Sequence, residues 1–109
     1  MDTIKFSYNW NNKLRNKAFT TIRLHNPNRY RKGEQYEIKL KTEPLGVAIL
    51  HDVRCLTLSQ LNDFICYLDT GYNLPETMQI FKRMYTGINW ETQKIDFCLL
   101  VYVKQEVKQ

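Results

Sequence analysis

Glycine is scarce in this chain, four in 109 residues, and none of the four stands in a Gly-x-Gly-x-x-Gly or Gly-x-x-x-x-Gly-Lys pattern. That excludes the two common glycine-rich phosphate loops. Histidine is scarcer still, with only His25 and His51, which lie far apart in sequence. The three cysteines, Cys55, Cys66 and Cys98, form no Cys-x-x-Cys pair. No structural zinc site is therefore expected, and neither a metal nor another cofactor is implied. A Cys/His nucleophilic pair has equally little support. An odd number of cysteines set within apolar runs reads as buried free thiols, and so as a protein of a reducing, cytoplasmic compartment. The longest uninterrupted apolar stretch, Phe97 to Val103, is seven residues. A membrane-spanning helix needs about 20. Met1-Asp2-Thr3 opens no basic-then-apolar segment, so a secretory signal is not expected.

What the chain does have is positive charge in one place. Residues 1 to 43 carry ten basic and four acidic side chains, or +6, and residues 44 to 109 carry six and seven, or −1. Between Lys13 and Lys32 stand seven basic residues and no acid. Such a stretch attracts polyanions, and arginine holds phosphate through two parallel hydrogen bonds. The plainer alternative is a solvated face that keeps the protein soluble. Hydrophobic residues at 43% and charged residues at 25% describe an ordinary globular chain, and its length suits one domain over 1–109.

Thr3 to Ser7 alternates weakly, as a first strand would. Trp10 and Leu14 are spaced for a short amphipathic helix over about 9–17, and Phe19 to Arg23 is β-branched and aromatic, hence strand-like. Tyr36, Ile38 and Leu40 alternate with polar neighbours over Glu34–Lys41, the clearest strand signal in the chain. Leu45, Val47, Ile49, Val53 and Cys55 continue with period two, which puts His51 in the inward phase. Thr57 and Gln60 have capping-box spacing ahead of a stripe of Leu58, Leu61, Phe64, Ile65 and Leu68. Asn73 and Glu76 repeat the box, with Pro75 in the first turn and Leu74, Met78, Phe81 and Tyr85 as the apolar face. Gly71 and Gly87 are natural helix stops. Ile95 to Val103 is apolar on both faces, the mark of a central strand. The expected class is α+β: a small β-barrel of about five to six strands with two to three flanking helices.

The segment Asn16-Lys17-Ala18-Phe19-Thr20-Thr21-Ile22-Arg23, followed by Tyr30-Arg31-Lys32-Gly33-Glu34, resembles the signature of the ASCH domain family of the PUA-like superfamily: a turn, a Thr-x-Arg strand, a short loop, then a glycine and an acid. The Thr57-Leu58 helix entry, the Gly71-Tyr72 step and the last apolar strand extend the resemblance over about Ile4 to Lys104. It implies a PUA-like barrel whose cleft is edged by the first helix and the Thr-Ile-Arg strand, a surface used in that superfamily mainly for RNA or modified nucleobases. On a strand Thr21 and Arg23 share a face while Ile22 points away.

The leading expectation is thus a domain binding RNA or a nucleotide-like ligand through Lys13, Arg15, Lys17, Thr21, Arg23, Arg29, Tyr30 and Arg31. Trp10, Tyr8 and Tyr30 are candidate stacking partners for a base, although Trp10 could equally pack in the core. Arg23 could equally sit in an ion pair. Some small ASCH proteins are amidohydrolases that deacetylate N4-acetylcytidine with a Lys, a Thr nucleophile and a Glu. That resemblance implies Thr21 as nucleophile. Ala18 falls at the Lys position, and a one-residue shift of the turn brings in Lys17, with Thr20 or Thr21 as nucleophile. The Glu position falls near Gly71, where Asp69 is the nearest acid. Nuclease activity is a further possibility within the family. A third reading is a non-catalytic module whose basic face meets an acidic protein partner.

Overall fold

In the computed structural model, which describes residues 1–106, alternating apolar and polar residues build five strands around one apolar interior. They are β1 (Asp2–Phe6), β2 (Ala18–Leu24), β3 (Gln35–Leu40), β4 (Glu43–Thr57) and β5 (Lys94–Gln105). Two helices, α1 (Asp63–Thr70) and α2 (Leu74–Met84), lie between β4 and β5 in sequence. The fold is α+β, with a mixed five-stranded sheet in the order β1-β3-β4-β5-β2. β1 runs parallel to β3, and the remaining pairs are antiparallel. As the apolar pattern of Ile95–Val103 predicts, β5 is an interior strand.

The sheet curls into a half-barrel. β1 and β2 are its two edges, yet Phe6 and Phe19 meet edge-to-face with ring centroids 5.9 Å apart. Ile4, Tyr36, Ile38, Leu50, Leu100 and Tyr102 fill the concave side. The other side packs Ile22 and Ile95 against Leu61, Ile80 and Phe81 of the helical layer. Ile22 therefore points away from Thr21 and Arg23, as strand geometry requires. No helix among the described residues is long and apolar enough to cross a membrane.

Three expectations are corrected. The helix over 9–17 is only a 3-10 turn at Trp10–Asn12, because Asn11 and Asn12 take φ of 58° and 53°. Asparagine tolerates that left-handed region better than other side chains, and two in succession end a right-handed helix. In β4 the period-two phase breaks. Gly46 has φ 143°, and a Cβ there would lie 2.2 Å from the Lys104 carbonyl oxygen, so the close approach demands glycine. Register shifts at Val47/Ala48 and Leu50/Asp52 bracket the strand's middle. Ala48 and Leu50 consequently take the inner face in place of Val47 and Ile49, and His51 is exposed. Cys55, expected to be buried, also lies at the surface, whereas Cys66 and Cys98 are buried. Finally, the Thr57/Gln60 capping box forms but closes only a 3-10 turn at Leu58–Gln60. α1 begins again at Asn62, whose side chain accepts from Ile65 N–H, and this resets the stripe so that Phe64 and Leu68 are exposed.

α2 follows its sequence closely. Asn73 and Glu76 cap each other's backbone, Pro75 sits in the first turn, and Leu74, Met78, Phe81 and Tyr85 join the outer apolar cluster. Gly71, at φ 82°, ends α1.

Candidate functional site

The turn after β1 is built to reach the end of α1. Asn9 Oδ1 accepts from Leu14 N–H, and Leu14 is buried in the barrel, where its carbonyl takes the Tyr102 hydroxyl at 2.6 Å. Between these anchors the left-handed pair throws Asn11 and Lys13 toward the helix. Asn11 Nδ2 donates to the carbonyls of Tyr67 and Leu68 at 3.3 and 3.0 Å. Lys13 Nζ donates to the Asp69 carbonyl at 2.5 Å and to Asp69 Oδ1 at 2.8 Å. The last carbonyls of a helix lack internal partners and carry partial negative charge, so an amide and a cation suit them.

Lys13 and Asp69 form an ion pair with side chains only 6% and 5% exposed. Burial holds the Lys13 ammonium below its ordinary value of 10.5. The Asp69 carboxylate acts in the opposite sense, and Arg23 adds to the lowering. From β2, Thr20 adds a third contact, its hydroxyl donating to Asp69 Oδ1 at 2.8 Å.

On the inner face of β2, Arg23 joins the two edges of the half-barrel. Its Nε donates to Thr21 Oγ1 at 3.0 Å, its Nη2 donates to the Lys5 carbonyl at 3.0 Å, and the guanidinium lies 4.5 Å over the Phe6 ring. Arg29 does the same one step along, donating to the Thr3 carbonyl at 2.8 Å and pairing with Asp2 at 3.3 Å. No ladder joins β1 to β2 among the described residues, and these two arginines stitch the seam instead.

A cavity of about 210 Å³ opens beside that seam, beneath the turn and α2. Lys13, Thr21, Arg23 and Asp69 are among its polar lining, with Lys5, Ser7 and Thr70, while Phe6, Tyr8, Trp10, Phe81 and Tyr85 supply aromatic walls. Thr21 is buried, and because its oxygen accepts from Arg23, its own proton is free to be donated. Two of the three Lys13 N–H groups serve Asp69, leaving one for the cavity. The arrangement is therefore a cluster of donors within aromatic surroundings.

The eight residues of the expected basic surface separate into two groups. Lys13, Thr21 and Arg23 line the cavity, and so does the tentative catalytic Asp69. Lys17 is exposed and does not line it, so the lysine beside Thr21 and Asp69 is Lys13 rather than Lys17. Arg15 pairs with Glu43 and Arg31 with Glu34, both at the surface. Tyr30 is buried in the barrel interior under the Arg29 guanidinium instead of being presented for stacking. Tyr36 explains why: its hydroxyl donates to the Arg29 carbonyl and accepts from Arg31 N–H, which fixes that loop from below. Trp10 and Tyr8 do stand at the cavity, with rings 4.5 Å apart. Sequence reasoning missed Phe6, Phe81 and Tyr85 as wall residues. It also missed Thr20 as an Asp69 partner, since each is also what an ordinary core or strand position holds.

No family model matches the chain, and no curated protein matches it. Among solved structures it is similar to the crystal structure of protein EF3133 from Enterococcus faecalis, of family DUF984. The TM-score is 0.67, with 100% of this chain and 85% of that one covered at 8% identity. The likeness is one of fold.

Proposed function

We propose that this protein binds a nucleobase or nucleoside in the seam cavity, as a PUA-like domain of the ASCH kind would. The observation that carries this reading is the convergence of donors from Lys13, Thr21 and Arg23 within aromatic walls. A flat ring bearing carbonyl oxygens satisfies both features, stacking on Trp10 or Tyr8 and accepting from the polar groups. The size agrees: 210 Å³ lies below the roughly 300–1,000 Å³ of drug-sized pockets and suits one ring system rather than a strand of RNA. The separation of Arg15, Lys17 and Arg31 from the cavity favours a small ligand over an extended polyanion. The two free thiols buried in the fold suit a reducing, cytoplasmic setting.

Titrating nucleosides and free bases against the protein, followed through the Trp10 indole and the amides of Thr20 to Arg23, tests the proposal. Localised shifts that saturate near or below about 1 mM and change little with salt are expected. Absence of any shift at those positions with every common base, or binding only to RNA with a steep salt dependence, would refute it.

A second reading is favoured by one further observation: Thr21, Lys13 and Asp69 line the same cavity. In an amide hydrolysis of the N4-acetylcytidine type, Thr21 Oγ1 would attack the acyl carbon. Its proton would pass to neutral Lys13 and on to the departing amine, and water would then cleave the threonyl ester. The lowered proton affinity of Lys13 serves this step, whereas its contact with Asp69 opposes it. Cytidine release from N4-acetylcytidine by wild type but not by Thr21→Ala is the expected result. Equal turnover by the variant, or none by wild type, would reject the reading.

A further inference from the structure

The expectation of no metal rested on linear spacing, and the fold brings together what spacing keeps apart. Cys55 of β4 stands directly opposite Asp96 of β5 in the ladder. His25 follows β2 immediately, and its N–H bonds the Lys94 carbonyl, carrying the β2–β5 pairing one step further. Adjacent strands thus deliver an imidazole, a thiol and a carboxylate to one place. Their ligand atoms all lie within 4.8 Å of one another.

We propose that His25, Cys55 and Asp96 form a binding site for a divalent transition-metal ion of the zinc class. The donor set is that of zinc and cobalt, for a thiolate and an imidazole select against magnesium and calcium. A thiolate and a carboxylate together balance the dication.

Asp96 is 2% exposed, and its carboxylate is already oriented: Oδ1 meets His25 Nδ1 at 2.8 Å, and Oδ2 accepts from Asn26 N–H at 2.8 Å. The second contact is the kind of outer-sphere hydrogen bond that fixes a metal-binding carboxylate. Zinc with bonds of about 2.0–2.1 Å to nitrogen and oxygen holds those two atoms about 3.3 Å apart in a tetrahedron. The His25 ring must therefore yield by about half an ångström, and its position at the surface permits that movement. Cys55 is likewise exposed, so a fourth position faces solvent and takes water or an external ligand, as in zinc sites that remain open. Arg23, the cross-strand neighbour of Asp96, is committed to Thr21 and the Lys5 carbonyl.

The test is a cobalt titration of the reduced full-length protein after chelator treatment. One equivalent is expected to give a thiolate-to-cobalt charge-transfer band together with visible bands of tetrahedral intensity. Cys55→Ser should abolish the charge-transfer band and weaken cobalt binding tenfold or more, and His25→Gln should weaken it similarly. In parallel, excess zinc should raise the melting temperature of wild type by several degrees and leave both variants unmoved. A wild-type titration without a thiolate band, or a band and zinc-induced shift undiminished in Cys55→Ser, overturns the assignment. Neither readout depends on occupancy of the seam cavity, so failure here leaves the nucleoside reading standing, and the converse also holds.

Discussion

Replacing Lys13 by Met removes the cation from an ion pair whose two side chains are only 6% and 5% exposed. Wild-type Lys13 spends two hydrogen bonds on Asp69, and both side chains are almost wholly withdrawn from water. Among the described residues, the variant leaves the Asp69 carboxylate with the Thr20 hydroxyl as its remaining side-chain partner. Breaking a buried pair by removing one member costs about 3–5 kcal/mol, because the orphaned charge stays desolvated. A domain of this size has a total stability on the order of 5–15 kcal/mol, so the variant should lose a large share of it. In urea titrations we expect the midpoint to fall with little change in slope, and in thermal scans a drop on the order of 10–30 °C. The double variant Lys13→Met/Asp69→Leu removes both charges and should recover to within about 1–2 kcal/mol of wild type. A second signature comes from pH. A lysine held below its usual value makes the unfolded chain bind more protons, so its contribution makes wild-type stability climb as pH approaches 10.5, and Lys13→Met should lack that climb. A single variant costing under about 1 kcal/mol, or a double variant no better than the single, would show that this pair is solvated and refute the reasoning.

Gly46→Ala should cost on the order of 3 kcal/mol or more in chemical denaturation, since its methyl would meet the Lys104 carbonyl oxygen and its φ is 143°; a loss below about 1 kcal/mol would mean the two strands part easily there. Tyr102 is pushed by burial from 10.0 to about 12, so above pH 10 the unfolded phenol ionises first and stability should fall progressively up to pH 12. Tyr102→Phe should flatten part of that fall while losing the hydrogen bond to Leu14; an unchanged pH profile would contradict it. Arg23→Lys, which keeps the charge and loses the fork, should weaken nucleoside binding about tenfold, whereas Arg15→Ala, Lys17→Ala and Arg31→Ala should leave it within about twofold, both read by calorimetry. Equal effects from all four would place the ligand on the outer surface.

Strands and caps were legible because their causes are local. The alternation around Tyr36 and Ile38, the Asn73/Glu76 box and the two-sided apolar run of β5 each follow from a few neighbouring residues. The phase of β4 was not legible from hydrophobicity, since Val47 and Ile49 are as apolar as Ala48 and Leu50. Gly46 marks the first of its two register shifts, and no residue type marks the second. The pairing of β1 with β3 is set by contacts distant in sequence. Lys13 reads as one of a basic run because lysine is seldom buried, and its partner Asp69 lies on another element. The signal for that turn was the cluster Asn9, Asn11 and Asn12, side chains suited to left-handed backbone. The shared face of Thr21 and Arg23 is legible because strand alternation is strict and β2 carries no bulge.

The seam stitched by Arg23 and Arg29 also bears on how molecules of this protein meet one another. β1 is an outermost strand, and an outermost strand with open carbonyls invites a neighbouring copy to add itself as another rung, which is how soluble sheets grow into aggregates. Two of the carbonyls that would recruit such a copy, those of Thr3 and Lys5, are already occupied by guanidinium groups of the same chain. Charge planted along a border repels an approaching twin as well as satisfying the oxygen beneath it. Stripping both arginines would therefore be felt first in the test tube as clouding on concentration.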